Sequence, residues 1–154
     1  MNSHNLLRIE KAGRSEANSI AEFQKRMALE TENLNLEIEI VRKGVGAIFD
    51  NPERGFYMIV KDGKDNCIGS MLVQKEWSDW RNADVWWLHS VFILPEYRGR
   101  GIFRKLFENT ERMALESGVI GIRLYVDKSN LHAQQVYAGL QMTNEHYELY
   151  EKMF

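Results

Sequence analysis

The sequence lacks most features that announce a function by themselves. Its 154 residues include one cysteine, two prolines and four histidines, and no apolar run approaches the roughly eighteen residues that a bilayer crossing needs. The single thiol, Cys67, makes neither an intramolecular disulfide nor a cysteine-based zinc site. His4, His89, His132 and His146 are too far apart for local metal-ligand spacing, so no metal is expected. An excess of charge of one sign is missing too. Twenty Lys and Arg against 22 Asp and Glu leave a formal net charge of -2, whereas a general nucleic-acid binder carries a basic excess over a whole face. The opening MNSHNLLRIEKAG has neither a basic n-region nor a long apolar h-region. These absences predict a soluble, cytoplasmic protein that is not exported and binds neither membrane nor nucleic acid.

What is present is enough apolar residue, 44% of the chain, for one core. A chain of this length buries roughly 70% of the surface its unfolded form exposes, so residues 1–154 are expected to form a single domain. LLRIEKA predicts a short strand, and from Ser15 the spacing of Ile20, Phe23 and Met27 predicts a helix. A second helix is predicted from about Leu34 to Phe49, with Leu36, Ile40, Val41, Val45 and Ile48 on one side, stopping at NPERG. GFYMIV and NCIGSMLVQKEW are β-rich runs joined by KDGKD, where Asp62-Gly63 tolerates positive φ. VWWLHSVFIL is aromatic and β-branched enough for a long, mostly buried strand ended by Pro95. A helix from Ile102 to about Ser117 follows, its inner face carrying Ile102, Phe103, Leu106, Phe107, Thr110, Met113 and Ala114. GIRLYV then predicts a strand, SNLHAQQVYAGL a short helix, and HYELYEKMF a last strand. The fold class is therefore α/β (α+β): one mixed, mostly antiparallel sheet with helices on both faces.

Local charge is the other signal. Tyr97–Phe107 reads YRGRGIFRKLF, with Arg98, Arg100, Arg104 and Lys105 around two glycines, while Glu30, Glu32, Glu37 and Glu39 cluster in LETENLNLEIEI. A strand leading through a glycine turn into a helix suits an anion. First-turn N–H groups are unpaired, the helix dipole adds about half a positive charge, and glycine lets a ligand approach the backbone. The three arginines add charge-assisted donors, and phosphate is the natural guest. Neither the GxxxxGK[ST] pattern of nucleotide hydrolases nor a complete dinucleotide fingerprint is present, because Arg104 occupies the place of the third glycine.

The run SVFILPEYRGRGIFRKLF resembles motif A of the GNAT superfamily of acetyl-CoA-dependent N-acyltransferases. Arg98 and Gly101 match its signature, and Phe103 stands where its last small residue is expected. NLHAQQVYAGLQM resembles motif B, NxxAxxxYxxLGF, through Asn130, Ala133, Tyr137 and Leu140, with Gln141 in place of the glycine. The resemblance covers roughly Val85 to Met142. It implies a splayed central strand pair, coenzyme A held by Phe92, Ile93, Arg98, Gly99, Arg100, Gly101, Phe103, Arg104, Asn130 and Tyr137, and direct acetyl transfer to a primary amine.

Such an amine has a pKa near 10 and must lose a proton to react; the departing thiolate needs a donor, and the developing oxyanion an N–H, from Ile93 or a neighbour. By the resemblance Tyr137 is the leaving-group donor; otherwise it is a tyrosine on the inner face of its helix. His89 and Glu32 stand as alternative bases, with His89 expected on the side of Trp87, Val91 and Ile93. In WSDWRN, Trp77, Asp79, Trp80 and Arg81 either cradle an ammonium group, cover the hairpin's open end, or build a homodimer seam. The acceptor expected is a small-molecule amine, with a protein amine as the alternative. Two other classes stay open: a non-catalytic acyl-CoA-binding sensor or partner-binding module, which would have no need of Tyr137 as a donor, and RNA binding through YRGRG.

Overall fold

The apolar spacing after Ser15 becomes α1 (Ala17–Glu32) in the computed structural model of the chain, which describes residues 6–154, so that His4 lies outside it. Ile20, Ala21, Phe23, Gln24 and Ala28 form its buried stripe, and Asn33, in the left-handed region at φ 53°, ends it. The second helix, α2 (Ile38–Asp50), starts later than its periodicity suggests. Ile38, Val41, Val45 and Ile48 are its inward residues, at spacings of three and four, whereas Ile40 is off that stripe and 70% exposed.

Two compact units divide the chain, one reaching to Arg123 and the other running from Leu124 to Phe154. In the first, β1 (Arg8–Lys11), β2 (Gly55–Lys61), β3 (Cys67–Ser78), β4 (Ala83–Ile93) and β5 (Ile122–Arg123) form one sheet in that order. All neighbours are antiparallel except β4 and β5. Ile20 and Ala21 of α1 and Val45 and Ile48 of α2 pack with Tyr57 and Ile59 on one face of β2. Alternation along the strand sends Met58 and Val60, both fully buried, to the other face, where α3 (Ile102–Glu116) packs on β2 and β4. Ile102, Leu106, Phe107, Thr110 and Ala114 are the buried residues of α3, with Phe103 and Met113 half-buried beside them. No helix of the described residues is long and apolar enough to cross a membrane.

The two hairpins differ from expectation in instructive ways. Positive φ between β2 and β3 falls on Asp65 (69°) and not on Gly63, because the Asp62 carboxylate anchors the loop by accepting the N–H groups of Lys64 and Asn66, each at 2.9 Å. Hydrogen bonds from the Asn66 side chain and backbone lead in pulling the Asp62 carboxyl down to about 2. Between β3 and β4 the ladder runs on to Ser78↔Ala83, past the last β2 rung at Gly55↔Gln74, so the hairpin projects as an arm. Trp77 and Trp80 are 60% and 88% exposed there, and so do not cover its end.

The second unit holds one helix, α4 (Leu131–Gly139), capped by Asn130, whose Oδ1 accepts the N–H of Ala133 at 3.1 Å. The expected last strand over HYELYEKMF does not form, and Tyr147, Leu149, Tyr150, Met153 and Phe154 are exposed. A strand needs a neighbour to take its backbone groups, and residues 124–154 contain no other strand to supply one. GIRLYV likewise contributes only Ile122 and Arg123 to the sheet.

Candidate active site

Beyond Ile93 the chain makes a 3-10 turn, Pro95–Tyr97, passes Arg98 in extended conformation, and enters α3 through Gly99 (φ 75°) and Gly101 (φ 72°). Both glycines occupy the left-handed region, and a Cβ at either would meet nothing within 4 Å. They are thus required by backbone conformation, not by packing, and the space before them is open. Gly101 is the N-cap of α3 and carries no side chain to cap it, so the N–H groups of the first turn face that space uncapped. An anion meets amides and the positive end of the helix dipole there.

The arginines of this turn are drawn toward the protein itself. Arg98 donates through Nε to the Ile93 carbonyl and through Nη2 to Glu30 Oε2, each at 2.8 Å, with its guanidinium 5.3 Å from the centre of the Phe92 ring. Arg26 lies over the same ring at 5.4 Å. Arg98 therefore ties the end of β4 to the end of α1. Arg100 donates to the Glu96 carbonyl at 2.9 Å and covers Tyr97, while Arg104 lies 3.6 Å from Glu108 one helical turn on. Phe103 is half-buried, its ring centre 6.3 Å from that of Phe107, so the bulk that departs from motif A is directed along the helix.

The strand feeding this turn is irregular. Leu72 pairs with His89 and Ser70 with Phe92, so Ser90 and Val91 together oppose Met71, and Ser90 takes φ 52°. This β-bulge changes which side chain faces where. His89 lies across from Leu72 and Tyr57, on the α1/α2 face, as does Trp87. Phe92 shares that face, its ring centre 5.1 Å from Phe23, whereas Ile93 pairs with Gly69 and lies with Val60 on the opposite one. The expectation that His89 and Ile93 share a side is thus corrected: strict alternation fails at the extra residue. A Cβ on Gly69 would sit 2.6 Å from Ile93 Cδ1 and 2.9 Å from the Phe92 carbonyl, so only glycine admits β4 this closely.

His89 is half-buried and stacks on Trp87 with ring centres 5.9 Å apart and planes 2° from parallel. Burial lowers its pKa, which favours the neutral imidazole. Trp87 Nε1 donates to Glu76 Oε2, which also receives Arg123 Nη1 at 3.3 Å. Neither Glu76 nor Arg123 stands out in sequence, although counting back from the hairpin turn places Glu76 diagonally across from Trp87. Glu32 is exposed at the last position of α1, and its neighbour Glu30 is the residue engaged with Arg98. In the second unit Asn130 acts as a helix cap, and Tyr137, half-buried seven residues later on α4, has its phenol pKa pushed up by burial.

Known proteins resemble this chain in sequence and in fold. The sequence model of the Acetyltransferase (GNAT) family matches residues 17–140. Thialysine N-epsilon-acetyltransferase of Bos taurus is 32% identical over 73 residues, 47% of this chain and 42% of that protein. An uncharacterized N-acetyltransferase of Archaeoglobus fulgidus is 32% identical over 83 residues, 53% of this chain and 56% of that one. The chain thus spans about half the length of these two curated relatives. The crystal structure of a possible acetyltransferase from Clostridium difficile 630 is 33% identical, superposes with a TM-score of 0.89, and covers 97% of this chain and 99% of its own.

Proposed function

The chain belongs to the Acetyltransferase (GNAT) family, and from that premise we propose that it is an acetyl-CoA-dependent N-acetyltransferase of the cytoplasm, acting as a single domain on a primary amine of a small molecule. The observation that carries this reading is the uncapped N-terminus of α3 behind two left-handed glycines that face open space. Those features fit the pyrophosphate of coenzyme A, with the N–H groups from about Gly99 to Arg104 as its donors. Arg100 and Arg104 are exposed, so their present contacts exchange for phosphate oxygens at little cost. Phe92, Ile93, Arg98, Phe103 and Asn130 complete the proposed cofactor set, Arg98 by bracing the end of β4.

Acetyl-CoA, when bound, supplies an activated thioester. The protein's own groups handle the protons. His89, kept neutral by burial, accepts the proton of the attacking amine, with Glu32 as the alternative base. Tyr137, a phenol protonated at neutral pH and made a weaker acid by burial, donates toward the leaving sulfur. The developing oxyanion is assigned a backbone N–H at this end of β4, from Ile93 or a neighbour, a role favoured by the extra residue that the bulge at Ser90 and Val91 leaves outside one-to-one pairing. A small amine as acceptor is supported by the bovine relative, which is named for the ε-amine of thialysine.

The test is an acetyl-CoA turnover screen across amine classes, read as free thiol. Thiol release with at least one small amine is expected, and Tyr137→Phe should lower kcat by about 10² to 10⁴ while leaving acetyl-CoA affinity nearly intact. Tight acetyl-CoA binding with no thiol release from any amine would make the protein a non-catalytic acyl-CoA binder instead.

A further inference from the structure

Trp87 lies where three strands converge on one face of the sheet. It is directly opposite Gln74 of β3 and is the parallel partner of Arg123 in β5. Glu76, two residues beyond Gln74, falls on the same face, and so does His89, opposite Leu72. The Glu76–Arg123 ion pair therefore spans β4, and the indole N–H of Trp87 donates to that same carboxylate. From the indole the chain of contacts continues to the nearly parallel imidazole of His89.

We propose that Glu76 is a positioning residue of the acetyl-transfer site, fixing the indole of Trp87 and, through the ring stack, the imidazole of His89, with Arg123 holding the carboxylate in place. The proposal rests on the acetyl-transfer reading above. An indole on a strand has several rotamers open to it, and a charge-assisted hydrogen bond to a carboxylate selects one. A near-parallel stack then constrains the second ring, because offset stacking is lost when either ring turns. A proton-accepting imidazole needs that constraint, since it must stay within hydrogen-bond reach of the amine. Stability alone is a poor reason for the arrangement. The side chains of Glu76 and Arg123 are 47% and 32% exposed, and ion pairs at such positions contribute little. Nor is Glu76 an uncompensated carboxylate, because Arg123 offsets its charge and the Trp87 indole N–H shares the same oxygen.

Three variants of the full chain, Glu76→Gln, Glu76→Leu and Arg123→Gln, separate these roles. Glu76→Gln keeps an acceptor for Trp87 Nε1 and should retain kcat to within a few-fold, whereas Glu76→Leu should lose about tenfold or more with the acetyl-CoA KM unchanged, as expected when a catalytic group is misplaced. Arg123→Gln should fall between them. Without any substrate, the indole N–H resonance of Trp87 and the ring resonances of His89 should shift in Glu76→Leu and return in Glu76→Gln. Equal loss of kcat in the Gln and Leu variants would overturn the proposal, as would unmoved Trp87 and His89 resonances in Glu76→Leu. The two readings fail separately. A wild-type chain that releases no thiol from any amine sinks the acetyl-transfer reading and the site role with it, whereas silent resonances in an active enzyme sink the positioning alone.

Discussion

Along β4, the residues from Ala83 to Leu88 pair with β3 in unbroken register, and Trp86 and Trp87 also pair with β5. Val85, Trp86 and Leu88 are buried, and each such apolar side chain contributes about 1.5–3 kcal/mol by leaving water. From His89 to Ile93 the same strand slips register at Ser90, runs on past the last β5 rung at Trp87, and ends with its final carbonyl held by Arg98. Both halves bury apolar side chains, Phe92 and Ile93 in the second, but only the first pairs in unbroken register; the second is an irregular stretch leading to the glycine turn. Regular pairing commits every backbone group to the sheet, so the proposed acyl transfer, which calls for a spare N–H and a re-aimed side chain, fits best where pairing slips.

The sharpest way to break this contrast is one variant in each half. His89→Gln should lower kcat by about 10² to 10⁴ with little change in melting temperature, the size typical of lost general-base catalysis. Leu88→Ala, one residue earlier, should cost about 2–5 kcal/mol of stability and leave the kcat of the folded fraction intact. The pH profile adds a signed check. Burial lowers the folded-state pKa of His89 below the ordinary imidazole value of 6.5, so kcat should rise with pH through a limb below that value. The same shift makes the folded state bind protons less readily than the unfolded one. Its contribution to stability is therefore present above about pH 6.5 and lost as pH falls through the folded-state pKa. A kcat that falls as pH rises toward 6.5, or full turnover in His89→Gln, would move the base elsewhere.

The turn beyond the second half gives the next largest effect. A valine at position 101 must adopt φ 72°, which β-branched residues strongly resist, and it would carry its methyl groups into the open space before α3. Gly101→Val should weaken acetyl-CoA binding more than tenfold, about 1.4 kcal/mol or more, when measured by calorimetry on the folded protein. Unchanged affinity would remove the glycine turn as the pyrophosphate site.

How much of this was readable beforehand follows the same division. From Ala17 to Glu116 every predicted helix and strand is present, because their signals are local: apolar spacing, punctuation at Pro52 and Pro95, and the glycines at 99 and 101. The parity of His89, Phe92 and Ile93 was not readable, since a serine gives no sign that it will take positive φ; only pairing with Ser70 and Leu72 across the ladder fixes the bulge. Arg98 resembles a phosphate ligand in sequence, yet its partner Glu30 is 68 residues away and emerges only when α1 reaches the end of β4. The strand expected over HYELYEKMF failed for a related reason: its alternation is real, but a strand exists only with a partner.

The smallest effect is expected from the glutamates at the end of α1, which is tied to the second half of β4 through Glu30 and Arg98. Glu30 lies 2.8 Å from Arg98 and Glu39 2.6 Å from Arg42, which leaves Glu32 and Glu37 as the carboxylates of this stretch without an ion pair among the described residues. Glu32 sits at the C-terminus of α1, where the helix dipole is negative and disfavours a carboxylate. Helix stability therefore gives no reason for its charge, and capture of a cationic amine does. Glu32→Gln should raise the KM of a cationic acceptor by about fivefold at most, since an exposed pair contributes little, and leave kcat unchanged if His89 is the base. The effect should shrink as salt rises, because screening acts over about 8 Å at physiological ionic strength. A preference for neutral or anionic acceptors, or a KM that Glu32→Gln does not move at low salt, would reduce these glutamates to a solvated helix face. A kcat that collapses in Glu32→Gln while His89→Gln stays active would instead exchange the two residues' roles and place the chemistry off β4 altogether.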